Sequence, residues 1–147
     1  MDAQGLSHAV WTQDLAAVEA LIAAGVDVNV ADDPHPPPLH LAIEQGNIEI
    51  VRRLINAGAE LNRPFRDWGE DFTPLVHAID LESDAASQGL IDPEHESTEL
   101  TKTLLAAGAI PTAAAFEVAE SYQNDRALVL LRRYAQAVQD LTYDYAL

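Results

Sequence analysis

A chain of 147 residues, 48% of them apolar, can bury roughly 70% of its unfolded surface as one domain without covalent staples. Its 24 acidic residues against 8 basic ones give a net charge of −16, which argues against nucleic acid or an anionic membrane as ligand and favours a cationic protein, or serves solubility alone. Zero cysteines exclude disulfides and thiolate metal sites. With no basic or long apolar stretch in Met1–Val10 and no run of 18 apolar residues anywhere, a cytoplasmic protein is expected.

From its first element onward the chain repeats itself. Read against its own sequence 33 residues on, Leu6, Ala9, Asp14, Val18, Leu21, Ile22, Gly25, Val28 and Asn29 meet Leu39, Ala42, Asn47, Val51, Leu54, Ile55, Gly58, Leu61 and Asn62. A period of this length signals stacked supersecondary units, which present a surface to a partner instead of enclosing a reaction site. The second unit is the clearest. Pro38, Leu39, Leu41, Ala42 and Ile43 make a short helix, Gly46-Asn47 turns the chain, and Ile48, Ile50, Val51, Leu54 and Ile55 make a second helix. Asn47 is placed to cap that second helix, and Gly58 to end it in the left-handed conformation.

These residues resemble an ankyrin repeat: Pro38-Leu39-His40-Leu41-Ala42, Gly46-Asn47, Ile50-Val51, Leu54-Ile55 and Gly58-Ala59-Glu60-Leu61-Asn62. The third unit opens Thr73-Pro74-Leu75-Val76-His77-Ala78 and closes Leu104-Leu105-Ala106-Ala107-Gly108-Ala109. A degenerate fourth follows, with Phe116, Ala119, Asn124, Leu128 and Leu131 at an offset of 77 from the second. The expected fold is an all-α ankyrin-type solenoid of about four helix pairs in a single domain. Its units fall at about 4–32, 33–65, 66–111 with an insert near 80–97, and a C-terminal cap at 112–147.

Three interruptions set this array apart. Leu39 and Leu75 are 36 residues apart, so the loop Arg63–Phe72 is enlarged by three. Ala78 and Gly108 are 30 apart where Ala42 and Gly58 are 16, which places 14 extra residues between the third unit's helices. The insert, interrupted by Gly89 and Pro93, reads as an extended helix end plus a loop, with Ser97 capping the next helix. Ala109-Ile110-Pro111-Thr112 then runs almost directly into the last unit. Arg126, Arg132 and Arg133 lie on its second helix, where late cations suit the helix dipole.

The resemblance implies that the between-unit loops project as fingers and that these, with the exposed side of each first helix, line a concave protein-binding surface. Carried over by position, the first-helix contacts are Trp11 and Thr12, Glu44 and Gln45, Asp80 and Leu81, and Tyr122; Glu82 and Asp84 extend them into the acidic insert. The first finger contributes Asp32, Asp33 and His35, and the second Phe65, Arg66, Asp67, Trp68, Glu70 and Asp71. Trp11 either anchors a partner or covers the end of the stack. Of the finger aromatics, Phe72 is expected to pack and Trp68 to make contact. The resemblance also gives His40 a structural role between repeats and puts His8 and His77 at the buried position of Leu41.

No catalytic arrangement is recognisable. There is no cysteine nucleophile, phosphate-binding glycine loop or Gly-x-Ser-x-Gly elbow, and Pro93 breaks any calcium-loop spacing in Asp92–Glu96. No enzyme, cofactor, metal or small-molecule substrate is expected. The expected role is a non-catalytic, monomeric binding module that masks a basic protein, such as a toxin or nuclease, in the manner of an immunity protein. A general scaffold and a DNA-mimic regulator are the alternatives.

Overall fold

A computed structural model describes residues 3–31, 34–87 and 98–146. Eight helices follow in order: α1 (Ala3–Trp11), α2 (Leu15–Ala23), α3 (Pro38–Glu44), α4 (Ile48–Asn56), α5 (Pro74–Ser87), α6 (Glu99–Ala107), α7 (Ala113–Ser121) and α8 (Asp125–Ala146). Consecutive helices pair, and the described residues form no strand. The first helices α1, α3, α5 and α7 make one row, each packed on the next, and α2, α4, α6 and α8 make a second. The expected all-α solenoid is what the chain forms.

The local signals explain the pairs. Asp14, Asn47 and Asn124 occupy one position in three units, and their side-chain oxygens accept from the N–H of Ala17, Ile50 and Ala127 at 3.1, 3.2 and 3.0 Å. Each fills a donor that the helix start leaves open. At the other end Gly58 adopts φ +97°, which lets Ala59 N–H reach Leu54 O at 3.0 Å and closes α4. Between the helices of a unit, Gln13, Gly46 and Gln123 are all left-handed, with φ of 58°, 66° and 57°. Only glycine takes that conformation without strain. Gln123→Gly is therefore expected to raise stability by about 0.5–1 kcal/mol, read as a higher urea midpoint at unchanged slope.

Leu6, Val10, Val18, Ile43, Ile50, Val51, Leu54, Leu75, Ile79, Leu104 and Leu131 are fully buried between the rows. At about 1.5–3 kcal/mol for each large apolar side chain removed from water, they supply the main driving force for stacking. Polar rungs fix the register. Asn29 donates to Gly58 O at 3.1 Å and accepts from Glu60 N–H at 2.8 Å, while Asn62 accepts from Ile110 N–H at 2.8 Å, the same contact one unit further on.

Pro37 starts α3 without a side-chain cap, whereas Thr73 Oγ1 accepts from Val76 N–H at 3.3 Å and caps α5. Helix α5 runs 14 residues against 7 in α3, so the insert begins as two further turns of helix. Residues 88–97 lie outside the described residues, among them Ser97, and the N-cap position of α6 is Thr98.

His8 corrects an expectation. It is exposed, while His77 at the same position is buried. This position faces the preceding unit, as the contacts of His77 with α3 demonstrate, and among the described residues no unit stands before the first. Ser7, which replaces His40 in the first unit, is buried with its hydroxyl unpaired.

Candidate protein-binding surface

The second finger is built by its own backbone. Phe65 N–H bonds Phe72 O at 2.9 Å, which ties the loop ends together, and Trp68, Gly69 and Phe72 N–H close tight turns at 3.1 Å each. Gly69 sits at φ +152°, a conformation that disfavours any other residue. The result is a compact loop whose three aromatics converge.

Trp68 stands edge-on to Phe65, Phe72 and His77, with ring centroids 4.9, 5.8 and 5.4 Å away and interplanar angles of 85°, 80° and 86°. These are the favoured T-shaped geometries. They hold the indole in one orientation while 48% of it remains exposed. Phe72 is half-buried against the core and supports the cage from below.

Beneath the cage, His40 stacks on His77 at 5.3 Å and 22°. A chain of contacts runs from Arg63 O to His40 Nε2 (3.2 Å), from His40 Nδ1 to His77 Nδ1 (3.1 Å) and from His77 Nε2 to Glu44 Oε2 (2.7 Å). Burial drives His40 down from 6.5 to about 4, against the opposing Arg63 carbonyl contact, and the charges of His77 and Arg63 push the same way. Burial also lowers His77, against the hydrogen bond and charge of Glu44 and the charge of Asp80.

The remaining expected contact residues divide. Trp11 is 58% exposed at the end of α1, and Thr12 is exposed with its hydroxyl bonded to His8 O at 2.9 Å. His35, Glu44, Arg66, Asp67, Glu70, Asp71 and Asp84 are exposed, and Phe65 is half-buried within the cage. Gln45 is half-buried and accepts from Gln13 Nε2 at 3.3 Å. Asp80 accepts from the Tyr122 hydroxyl at 3.1 Å, which ties α5 to α7, and burial, then that bond, raises the Tyr122 pKa. Leu81 packs against the core. Asp32 and Asp33 lie outside the described residues.

Glu82 is a correction. Expected on the binding surface, it is 5% exposed and accepts from Leu100 N–H, Thr101 N–H and Thr101 Oγ1 at 3.1, 3.1 and 2.6 Å. It caps α6 from a neighbouring helix, because Thr98 makes no side-chain cap of its own. A partner cannot use it.

The two helix rows carry different charge. The first row, α1, α3, α5 and α7, contains Glu44, Asp80, Glu82, Asp84, Glu117 and Glu120 and no Lys or Arg. The second row balances Arg52, Arg53, Lys102, Arg126, Arg132 and Arg133 against Glu19, Glu49, Glu99, Asp125, Asp140 and Asp144. Among the described residues, the arginines of α4 pair with Glu49 and Glu19 at 3.1 and 2.8 Å, whereas Asp67, Glu70 and Asp71 on the finger form no ion pair. Periodicity could reveal this segregation only once each residue was assigned to a row.

The model for ankyrin repeats, in three copies, matches residues 6–115, about three quarters of the chain. The chain belongs to the ankyrin-repeat family. An ankyrin repeat protein of fowlpox virus (strain NVSL) is 30% identical over 87 residues, 59% of this chain. The match spans only 13% of that relative's length. Ankyrin repeats are protein-binding modules, and in this ankyrin array the exposed indoles of Trp11 and Trp68 lie on the first-helix row and the second finger, the latter together with exposed Asp67, Glu70 and Asp71. Among the described residues no helix is long and apolar enough to cross a membrane.

Proposed function

We propose that this ankyrin-repeat protein binds a basic protein one-to-one through its first-helix row and second finger and masks it, as an inhibitor of the immunity type does. The charge difference between the rows carries this reading. Solubility alone would be served by acids on either row, whereas here the second row is balanced, the first row holds acids and no Lys or Arg, and the second finger sets Asp67, Glu70 and Asp71 against Arg63 and Arg66. Such a field accelerates encounter with a cation, and Trp68, already held in place by its cage, loses little conformational freedom on contact. A scaffold role needs the same surface but no masking of its partner's activity.

Affinity capture from the source cells, comparing the natural chain with an Asp67→Lys/Glu70→Lys/Asp71→Lys variant, tests the surface. The natural chain should retain basic proteins that the variant loses, at equal melting temperature. Retention by both would place the interface elsewhere. Trp11→Ala should cost on the order of 2 kcal/mol in binding to the captured partner, read by calorimetry, if Trp11 is an anchor. An unchanged Kd makes it an end cover. Loss of the partner's own activity in the one-to-one complex separates masking from scaffolding.

A further inference from the structure

The contact chain beneath the finger contains a proton count. A carbonyl oxygen only accepts, so the Arg63 contact requires hydrogen on His40 Nε2. Neutral His40 then offers a lone pair at Nδ1, and the 3.1 Å contact is a hydrogen bond when His77 Nδ1 donates. A neutral His77 is left with a lone pair at Nε2, 2.7 Å from the Glu44 carboxylate. Two neutral rings and one carboxylate supply two hydrogens for three contacts. The third needs one more proton.

We infer that Arg63 O, His40, His77 and Glu44 form a one-proton latch: proton uptake at His77 closes all three hydrogen bonds and holds Glu44 against the stack, and proton loss opens the Glu44 link. Glu44 is the end that leaves, because its side chain is 42% exposed while both rings are buried. The proton goes to His77 and not His40 because of what surrounds each ring. His77 faces Glu44 from α3 and Asp80 from its own helix, the latter held by Tyr122 at the C-terminal cap of α7; His40 faces Arg63. On α6, which packs on α5, the charged Glu99 and Lys102 are exposed. The rings' burial places the event on the acid side of 6.5, so near neutral pH Glu44 is free toward solvent and acidification withdraws it. The latch is a property of the free chain. If a basic partner also engages Glu44, its binding becomes proton-linked.

Long-range 1H–15N correlation of the imidazole rings in the full chain, titrated from pH 8 to 4.5, tests this. His40 should keep its hydrogen on Nε2, His77 should protonate at least one pH unit before His40, and Glu44→Gln should lower the His77 midpoint about tenfold in proton affinity. Hydrogen on His40 Nδ1, simultaneous titration of both rings, or a His77 midpoint unmoved by Glu44→Gln would overturn the latch. Trp68 gives a second readout, since an imidazolium quenches an adjacent indole and the ring centroids are 5.4 Å apart. In a Trp11→Phe background, emission should fall at the His77 midpoint, and His77→Leu, the residue present at Leu41, should abolish the transition. A transition surviving His77→Leu contradicts the assignment. Neither readout involves a partner, so the latch and the proposed function stand or fall separately.

Discussion

Glu82→Ala should destabilise the protein by about 3 kcal/mol or more, a loss usually reserved for large core truncations. The carboxylate accepts three hydrogen bonds in a nearly dry position, and two of their donors are backbone N–H groups at the start of α6. Removal leaves the Leu100 and Thr101 N–H groups and the Thr101 hydroxyl without acceptors, at about 1–3 kcal/mol for each buried group that water cannot reach. Glu82→Gln retains one acceptor oxygen and should cost less, about 1–2 kcal/mol. Urea unfolding of the two variants checks the order. If Glu82→Ala is neutral, the α6 start is solvated and the capping account is wrong.

The second large effect is acid sensitivity. His40 is 1% exposed and titrates at about 4 in the folded chain against 6.5 unfolded. Its folded pKa is depressed, so below 6.5 the unfolded chain binds more protons, and stability present above 6.5 is lost as pH falls towards 4. The interval of about 2.5 units at 1.36 kcal/mol each corresponds to a loss of about 3 kcal/mol. His77, also lowered, adds in the same direction; the third hydrogen bond of the latch offsets part of its cost and none of that at His40. Acidification also relieves acid–acid repulsion, an opposite effect shared with any variant. Urea titrations of the natural chain and His40→Gln at pH 7, 5.5 and 4 isolate the histidine contribution: the variant starts less stable and should lose about 3 kcal/mol less. Parallel curves would contradict the assignment.

The repeat was legible because its signals are local. Asn47 before an apolar run and Gly58 after it specify a helix start and stop within a few residues, and both act as their positions suggest. The aromatic finger was legible in part, since Phe65, Trp68 and Phe72 crowd a short loop. The roles of Glu82 and His8 were not. In sequence Glu82 is one acid among seven in a polar stretch, and only the packing of α5 on α6 turns it inward. His8 repeats a buried position, but burial there is conferred by a preceding unit, and none stands before the first repeat among the described residues. The His40–His77–Glu44 chain likewise joins residues 33 and 37 positions apart, spacings that become contacts only through stacking.

The most direct test of the binding account is the association rate of the captured partner with this ankyrin array, measured by stopped-flow Trp emission from about 50 to 500 mM NaCl. An acidic first-helix row and finger steering a basic protein predict a rate that falls more than tenfold across that range, with a markedly shallower slope for Asp67→Lys/Glu70→Lys/Asp71→Lys. A rate independent of salt, or a slope unchanged by the triple reversal, would contradict it.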